Sequence, residues 1–456
     1  MATRFMQALR RWPAYMAAGP LLFFSGQQGL RADGESLCTR FEDVAGSAPG
    51  ANGSFAWVNR IEAPVGAQAI AIYDRYRTLL AQQGGGLEHL VRLHLYQRDK
   101  RFFPVFDRIR RHIEPAAPTP STAVGMGRFD PDDHARFCID AIALNPAAAQ
   151  SFGARRAIDT ARGPSAASYS HVMGAGPLRF LAGQIPIDTS RPGAPLIRNF
   201  EDIPEEGHFL RVGRSHEDTR NGPIAAQTWF TYDLIRHHLQ SAGSSMAHIL
   251  NLTVYLQDMR DFPTFHRVHE RFFPDDPPAM TVIAGAEVGH KGTLIEIEPT
   301  AIALDAPFAR RAIASPSGIA PAQMSVLVEA GGIAFFSGML GLTDQGEPVT
   351  TFADLPARCR RGLKKGSSAA SNPAVLQTLM ALGRVEQSLS MVNADLSKVA
   401  HLSLFLADIR QFLALEPHLA RAFGASRPAL TVIECPAPGP VIGAGVSMTA
   451  IAWIGD

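Results

Sequence analysis

The residues best suited to chemistry lie on three strand-like stretches that resemble one another. Thr293–Leu304 sets Ile295 and Ile297 on one face against Glu296, Glu298 and Thr300 on the other, the alternation a strand imposes on its side chains. Ala135–Leu144 opposes Phe137, Ile139 and Ala141 to Arg136, Cys138 and Asp140, and Gly445–Trp453 brings Ser447 and Thr449 to the matching face. A carboxylate such as Glu298 or Asp140, partly buried in a cleft, has its pKa raised toward neutrality and can act as a general base on water. The plainer alternative for both is an interior ion pair, with Arg92 or Arg136 as partner to Glu298, because buried charges are usually paired. Glu434 and Cys435 stand side by side, but no neighbouring sequence signal lowers the thiol pKa.

These strands are the last elements of a unit written three times. Val91–Phe106, Leu250–Phe265 and Ala400–Leu415 align without a gap: a strand, then Asp-x-Arg-x-Phe (Asp99, Asp258, Asp408), then a helix. Upstream, Leu21–Gln27, Arg179–Gln184 and Ala334–Met339 repeat as well, and Gly26, Gly183 and Gly338 recur at near-equal, domain-length spacing. Helical periodicity predicts helices at Ala67–Gln82, Ala225–Ser241 and Val375–Met391, and again at Pro104–Ile113, Pro263–Phe273 and Leu413–Phe423. The three units cover 1–150, 151–308 and 309–456. A long insertion follows the first strand of each and carries its own Phe-x-Asp (Phe41, Phe200, Phe352), read as a structured anchor; each first helix shares a glutamine (Gln68, Gln227, Gln377). Features common to all three units serve the fold, whereas positions that differ are where function can specialise. The helices bury one face of each sheet, and the other face is mixed. Three such sheets can turn their mixed faces toward one another about a common axis, so one chain would behave as a trimer does.

At 456 residues, 46% hydrophobic and 19% charged, the chain can bury substantial cores. A formal charge of +1 without a recurring basic stripe argues against a nucleic-acid partner. Four scattered cysteines form neither a zinc pattern nor a disulfide framework, which points to a reducing cytoplasm. Arg10-Arg11 and the apolar run to Phe24 faintly mimic a secretory signal, but Gly19–Gly26 aligns with Gly331–Gly338, so cleavage would remove a strand of the first unit. No apolar run is long enough to span a membrane.

At Ser25–Gln27, Ala182–Ile187, Asp258–Phe262 and Ile295–Glu298 the sequence resembles the RidA (YjgF) family, and the likeness covers nearly all of each unit outside the insertions. The resemblance implies an α+β, chorismate-mutase-like fold: three RidA-like domains, each a β-sheet with two helices, forming an intramolecular pseudo-trimer around a central barrel with clefts between neighbours. It also implies hydrolysis of small enamines or imines to ammonia and a keto acid, with no metal or organic cofactor and a small-molecule substrate as the one partner. A monomer is expected, with at most a weak dimer. The family's substrate-clamping arginine falls here at Pro120 or Ser121, at Met280 and at Leu430. Its water-positioning acid is matched to Asp140 and Glu298, its tyrosine to Tyr169 (with Tyr15 in a shifted register) and its serine to Ser25. His171 and His266 fall on cleft-lining segments, and Arg128, Arg136 and Arg179 are the candidates to replace the lost arginine. Three functions follow from this pattern: an imine or enamine hydrolase, a chorismatase-like hydrolase of an enolpyruvyl ether, or a non-catalytic binder of small ligands.

Overall fold

The computed structural model describes residues 1–44, 56–114, 116–160, 167–314 and 324–455. One order of elements occurs three times: a two-stranded hairpin, a long helix, a central strand, a second helix, an edge strand and a closing strand. In the first unit these are Tyr15–Ala18, Leu21–Gln27, Ala56–Ala81, Leu90–Gln97, Phe103–Ile113, Ser121–Gly125 and Phe137–Leu144. The second unit runs Val172–Ala175, Leu178–Leu181, Ser215–Ser241, Ile249–Leu256, Phe262–Phe272, Ala279–Ala284 and Ile295–Ile302. The third runs Ser325–Ala330, Ile333–Phe336, Pro373–Ser390, Val399–Leu406, Phe412–Phe423, Ala429–Glu434 and Val446–Trp453.

In every unit the closing strand pairs antiparallel with both the hairpin and the central strand, and the edge strand lies parallel to the central one. The second and third sheets meet at a parallel partnering of Ala279 with Ser325. Two helices cover one face of each sheet, and each unit has its own apolar core there. Two further clusters draw on all three units. One gathers Phe23, Phe180 and Phe335; the other gathers Tyr96, Tyr255 and Phe405, which occupy corresponding positions on the three central strands.

The features shared between units do architectural work. Asp99, Asp258 and Asp408 each accept the backbone N–H two residues on, at 2.8, 2.9 and 3.0 Å, and also hold that residue's guanidinium. This turns the strand into the helix, as an Asp cap does. Asp43, Asp202 and Asp354 reach back to backbone N–H groups of the preceding turn, so Phe-x-Asp anchors the insertion. The shared glutamines tie each long helix to the loop before the closing strand: Gln68 accepts from Arg136 N, Gln227 from Leu294 N and Gln377 from Gly445 N. Two helices start earlier than expected, at Ala56 and Ser215, each carrying an internal proline (Pro64, Pro223) that reads as a boundary in sequence. Residues 45–55 of the first insertion lie outside the described residues.

Before the first unit, the helix Ala2–Leu9 packs on the third. Phe5 is fully buried with its ring edge-on to Phe412 at 5.3 Å, Trp12 meets Phe423 at 5.8 Å, and Arg11 pairs with Glu416 at 3.0 Å. The two ends of the chain are thereby clasped together. Phe5→Ala should cost about 3–5 kcal/mol of folding stability, read from denaturant midpoints; a loss below about 1 kcal/mol would show that the clasp contributes little.

Candidate active site

Strand register assigns the equivalent positions. On the closing strands, Asp140 lies opposite His94, Glu298 opposite Thr253 and Thr449 opposite Ser403. Two residues earlier, Cys138 lies opposite Tyr96, Glu296 opposite Tyr255 and Ser447 opposite Phe405. Both positions share the mixed face, yet they meet different surroundings.

Glu298 and Asp140 lie in the interior, 1% and 2% exposed. His94 bridges them: Nε2 is 2.8 Å from Glu298, and Nδ1 bonds Asp140. Arg92 sits 3.2 Å from Glu298 and donates to Thr300 Oγ1 at 2.6 Å and to the carbonyls of Leu181 and Pro299. Thr122 donates to Glu298, Thr431 donates to Asp140 at 2.8 Å, and His401 meets Thr431 at 3.2 Å. Burial opposes a charge on His94, but Glu298 and Asp140 overcome it and raise its pKa to about 10. Burial pushes both carboxyls up; the nearby cations, Arg92 and His94 for Glu298 and His94 for Asp140, more than reverse this and hold them below their ordinary values. Two cations and two carboxylates thus neutralise one another in a network shared by all three units. Carboxylates so held are poor bases near neutral pH, so the geometry favours the interior ion pair over the general base for Glu298 and Asp140.

Glu296, two residues away, is in the opposite condition. It is 4% exposed, and Oε2 is buried without a hydrogen-bond partner among the described residues. Burial raises its pKa to about 7, against the opposing pull of the Lys100 ammonium and of backbone N–H groups at Ala123 and Gly289. Its neighbours come from both sides of the seam between the first and second units. Gly183 approaches so closely that a Cβ there would collide with the Glu296 carboxyl and crowd Thr122. Gly125 and Glu287 exchange a backbone bridge across the same seam. Lys100 Nζ donates to Ala123 O at 2.5 Å and lies 5.3 Å from the Phe103 ring centre, its pKa lowered by burial despite Glu296 and Glu287. The Lys100 charge also adds to burial in lowering the pKa of His290.

Ser121, where the resemblance places the missing arginine, begins the edge strand of the first unit. Arg110 reaches it from the preceding helix: Nη1 donates to Ser121 Oγ at 2.7 Å, Nη2 to Asp107 at 2.9 Å, and Nε is buried with no partner among the described residues. Tyr169 stands over this group, its ring centre 5.9 Å from the guanidinium carbon. The first–second seam therefore joins a neutral-pKa carboxyl, an ammonium, a guanidinium and a phenol.

The other seams differ in chemistry. The hydrogen bonds Ser25 N to Ala14 O, Ala182 N to His171 O and Ser337 N to Val326 O make Trp12, Tyr169 and Met324 equivalent, so Tyr15 is not the counterpart of Tyr169. At the third–first seam Trp12, Ser25, Gly26 and Leu430 line a cavity of about 810 Å³. At the second–third seam Met324, Met280, Gly338 and Ser447 line one of about 310 Å³.

The remaining expected binders are scattered. Ser25 Oγ donates to Pro13 O and accepts from Leu430 N, and Ser337 does the same for Ser325 O and Met280 N, a tie between units. Arg179 is spent on the carbonyls of Gly176, Leu178 and Ala242. Arg128 faces Glu434 at 4.0 Å, and Arg136 lines a separate groove beside Asp130 and His134. His171 stacks on His238 at 4.5 Å with Tyr169 edge-on to it, while His266 lies on the second unit's second helix, 3.6 Å from Glu270. Of the expected residues, Tyr169 meets Arg110 of this group directly. Lys100, Arg110 and Glu296, which the fold brings to this seam, were not among the expected residues. Their signal was divergence between repeats: Lys100 is matched by Met259 and Ile409, Arg110 by His269 and Leu419, and Glu296 by Cys138 and Ser447.

Each unit is thus a two-helix, five-stranded α+β fold. The sequence profile of the family described as Endoribonuclease L-PSP matches residues 160–303. A RutC family protein of Pyrococcus horikoshii is 32% identical over 133 residues, 29% of this chain and 85% of that protein. The 3-aminoacrylate deaminase RutC of Acinetobacter baylyi is 28% identical over 97 residues, 21% of this chain and 77% of that protein. The crystal structure of yeast Mmf1 is 22% identical with a TM-score of 0.26, covering 33% of this chain and 98% of that one. The chain belongs to the RidA (YjgF) family. No helix among the described residues is long and apolar enough to cross a membrane.

Proposed function

We propose that the chain is a cofactor-independent hydrolase of a small imine or enamine acid, working at the seam between its first and second units. The observation that carries this reading is Glu296: a carboxyl whose pKa burial raises to about 7, with one oxygen unpartnered among the described residues, facing a lysine across the seam. As carboxylate, Glu296 takes a proton from water while the oxygen bonds to the C=N carbon. With the substrate entering as its iminium, the resulting carboxylic acid returns that proton to the carbinolamine nitrogen; as the C–N bond breaks, the hydroxyl proton passes to the Glu296 carboxylate, releasing ammonia and a carbonyl compound. An enamine enters one step earlier, when protonated Glu296 donates to its β-carbon. Lys100 and Arg110 supply the positive charge that a substrate carboxylate needs, in place of the strand arginine. Relatedness to a 3-aminoacrylate deaminase supports the same reaction class.

This reading takes the three units as RidA-like domains, bounded near 150 and 308, closed into a pseudo-trimer within a monomer. The interior network and the two three-unit clusters are the support for it. Four buried free thiols suit a reducing cytoplasm.

The test is ammonia release from enzymatically generated 2-imino acids over pH 5–9. Lys100→Met removes the cation that favours ionised Glu296, so the rising limb of the pH–rate profile should move above 7 and KM should increase. A limb that stays in place would separate Lys100 from the reaction.

A further inference from the structure

We infer that the seam between the second and third units is a binding site for an uncharged aromatic molecule of one or two rings, independent of the reaction at the first–second seam. Register gives the two seams the same plan with opposite chemistry. Met280 stands where Ser121 stands, Met324 replaces Tyr169, Ser447 replaces Glu296 and Met259 replaces Lys100. The glycine that brings the backbone close is retained: Gly338 sits 3.3 Å from Ser447 and 3.1 Å from Thr281, measured from where its Cβ would be. What remains is a cavity of about 310 Å³ walled by Phe262, Met280, Val282, Met324, Leu340 and Leu342.

Its lining excludes the ligand of the polar seam. Among the described lining residues there is no lysine, arginine or histidine. The one charged residue at the rim, Asp344, lies 3.7 Å from Arg384 and would repel a second anion. The Ser337 hydroxyl is occupied, accepting from Met280 N and donating to Ser325 O. An uncharged ligand is therefore favoured by burial of apolar surface alone. Size narrows the choice: the volume is at the low end for small-molecule sites and too small for a helix of roughly 10 Å diameter. Two methionine sulfurs and a phenyl ring in the wall favour the edges and faces of an aromatic ring.

Indole is the probe, titrated calorimetrically into the full chain, with benzoate as the anionic control. Saturable binding of one indole per chain is expected, with benzoate at least about tenfold weaker. Leu342→Trp, which fills the cavity from its rim, should weaken indole at least about tenfold without lowering the melting temperature. Met280→Arg, where it folds, should reverse the preference toward benzoate. Failure of indole to saturate up to its solubility limit, or equal binding by the parent and Leu342→Trp, would overturn the assignment. So would tighter binding of benzoate than indole by the parent.

Discussion

Glu296→Gln is expected to lower turnover of 2-imino acids by about 10²–10⁴-fold, the range a positioned general acid–base group contributes. The amide keeps the shape of the side chain but can neither accept nor return the proton. The rising limb of the parent's pH–rate profile, centred near 7 because of Glu296, should vanish with it. Stability moves the other way. Because burial raises the folded pKa of Glu296 above that of the unfolded chain, its contribution is full below the ordinary glutamate range. It falls as pH climbs through about 7. Glu296→Gln, uncharged at every pH, should therefore gain stability relative to the parent above neutrality while losing activity. Such an opposition between stability and activity is difficult to obtain from a residue that only packs. A variant with parental turnover would remove Glu296 from the chemistry.

Glu298→Gln should fail in a different manner, by unfolding. It removes one of the two carboxylates that balance Arg92 and His94 in the interior, and breaking a buried ion pair from one side costs about 3–5 kcal/mol. The pH dependence identifies the network. His94 is held protonated to about 10, above its unfolded value, so the stability it brings is complete below about 6.5. That stability is lost progressively as pH rises toward 10. Asp140 and Glu298, with folded pKa values below the ordinary carboxylate range, contribute stability that is present near neutrality and lost in acid. Denaturant midpoints of the parent should thus decline on the alkaline side above about 6.5, and Glu298→Gln should flatten that decline while lowering every midpoint. An unchanged midpoint at pH 7 would mean that the network is dispensable.

The contrast between these neighbours shows how far the sequence could be read. The three-fold repetition, the strand and helix order and the role of Asp-x-Arg-x-Phe were all legible, because they follow from local periodicity and from spacing repeated in one chain. Alternation also placed Glu296 and Glu298 together on the mixed face. It could not say which of them met a seam and which the interior, because that depends on partners from other units: Arg92 and His94 for Glu298, Lys100 and Gly183 for Glu296. The plainer alternative for Glu298, a charge paired with Arg92, is what the structure contains. Arg110 went unnoticed for a related reason. It lies on a helix rather than on the strand where the family carries its arginine, and the tertiary fold alone brings its guanidinium to Ser121.

The first–second seam is expected to bind the substrate carboxylate, and the other two are not. A crystal structure of the full chain soaked with 2-oxobutyrate, a stable product-like acid, tests it most directly. Density is expected at the first–second seam, with the carboxylate against Lys100 or Arg110 and the keto carbon facing Glu296. The same density at the Met280 or Leu430 seam, with the Glu296 seam empty, would contradict it.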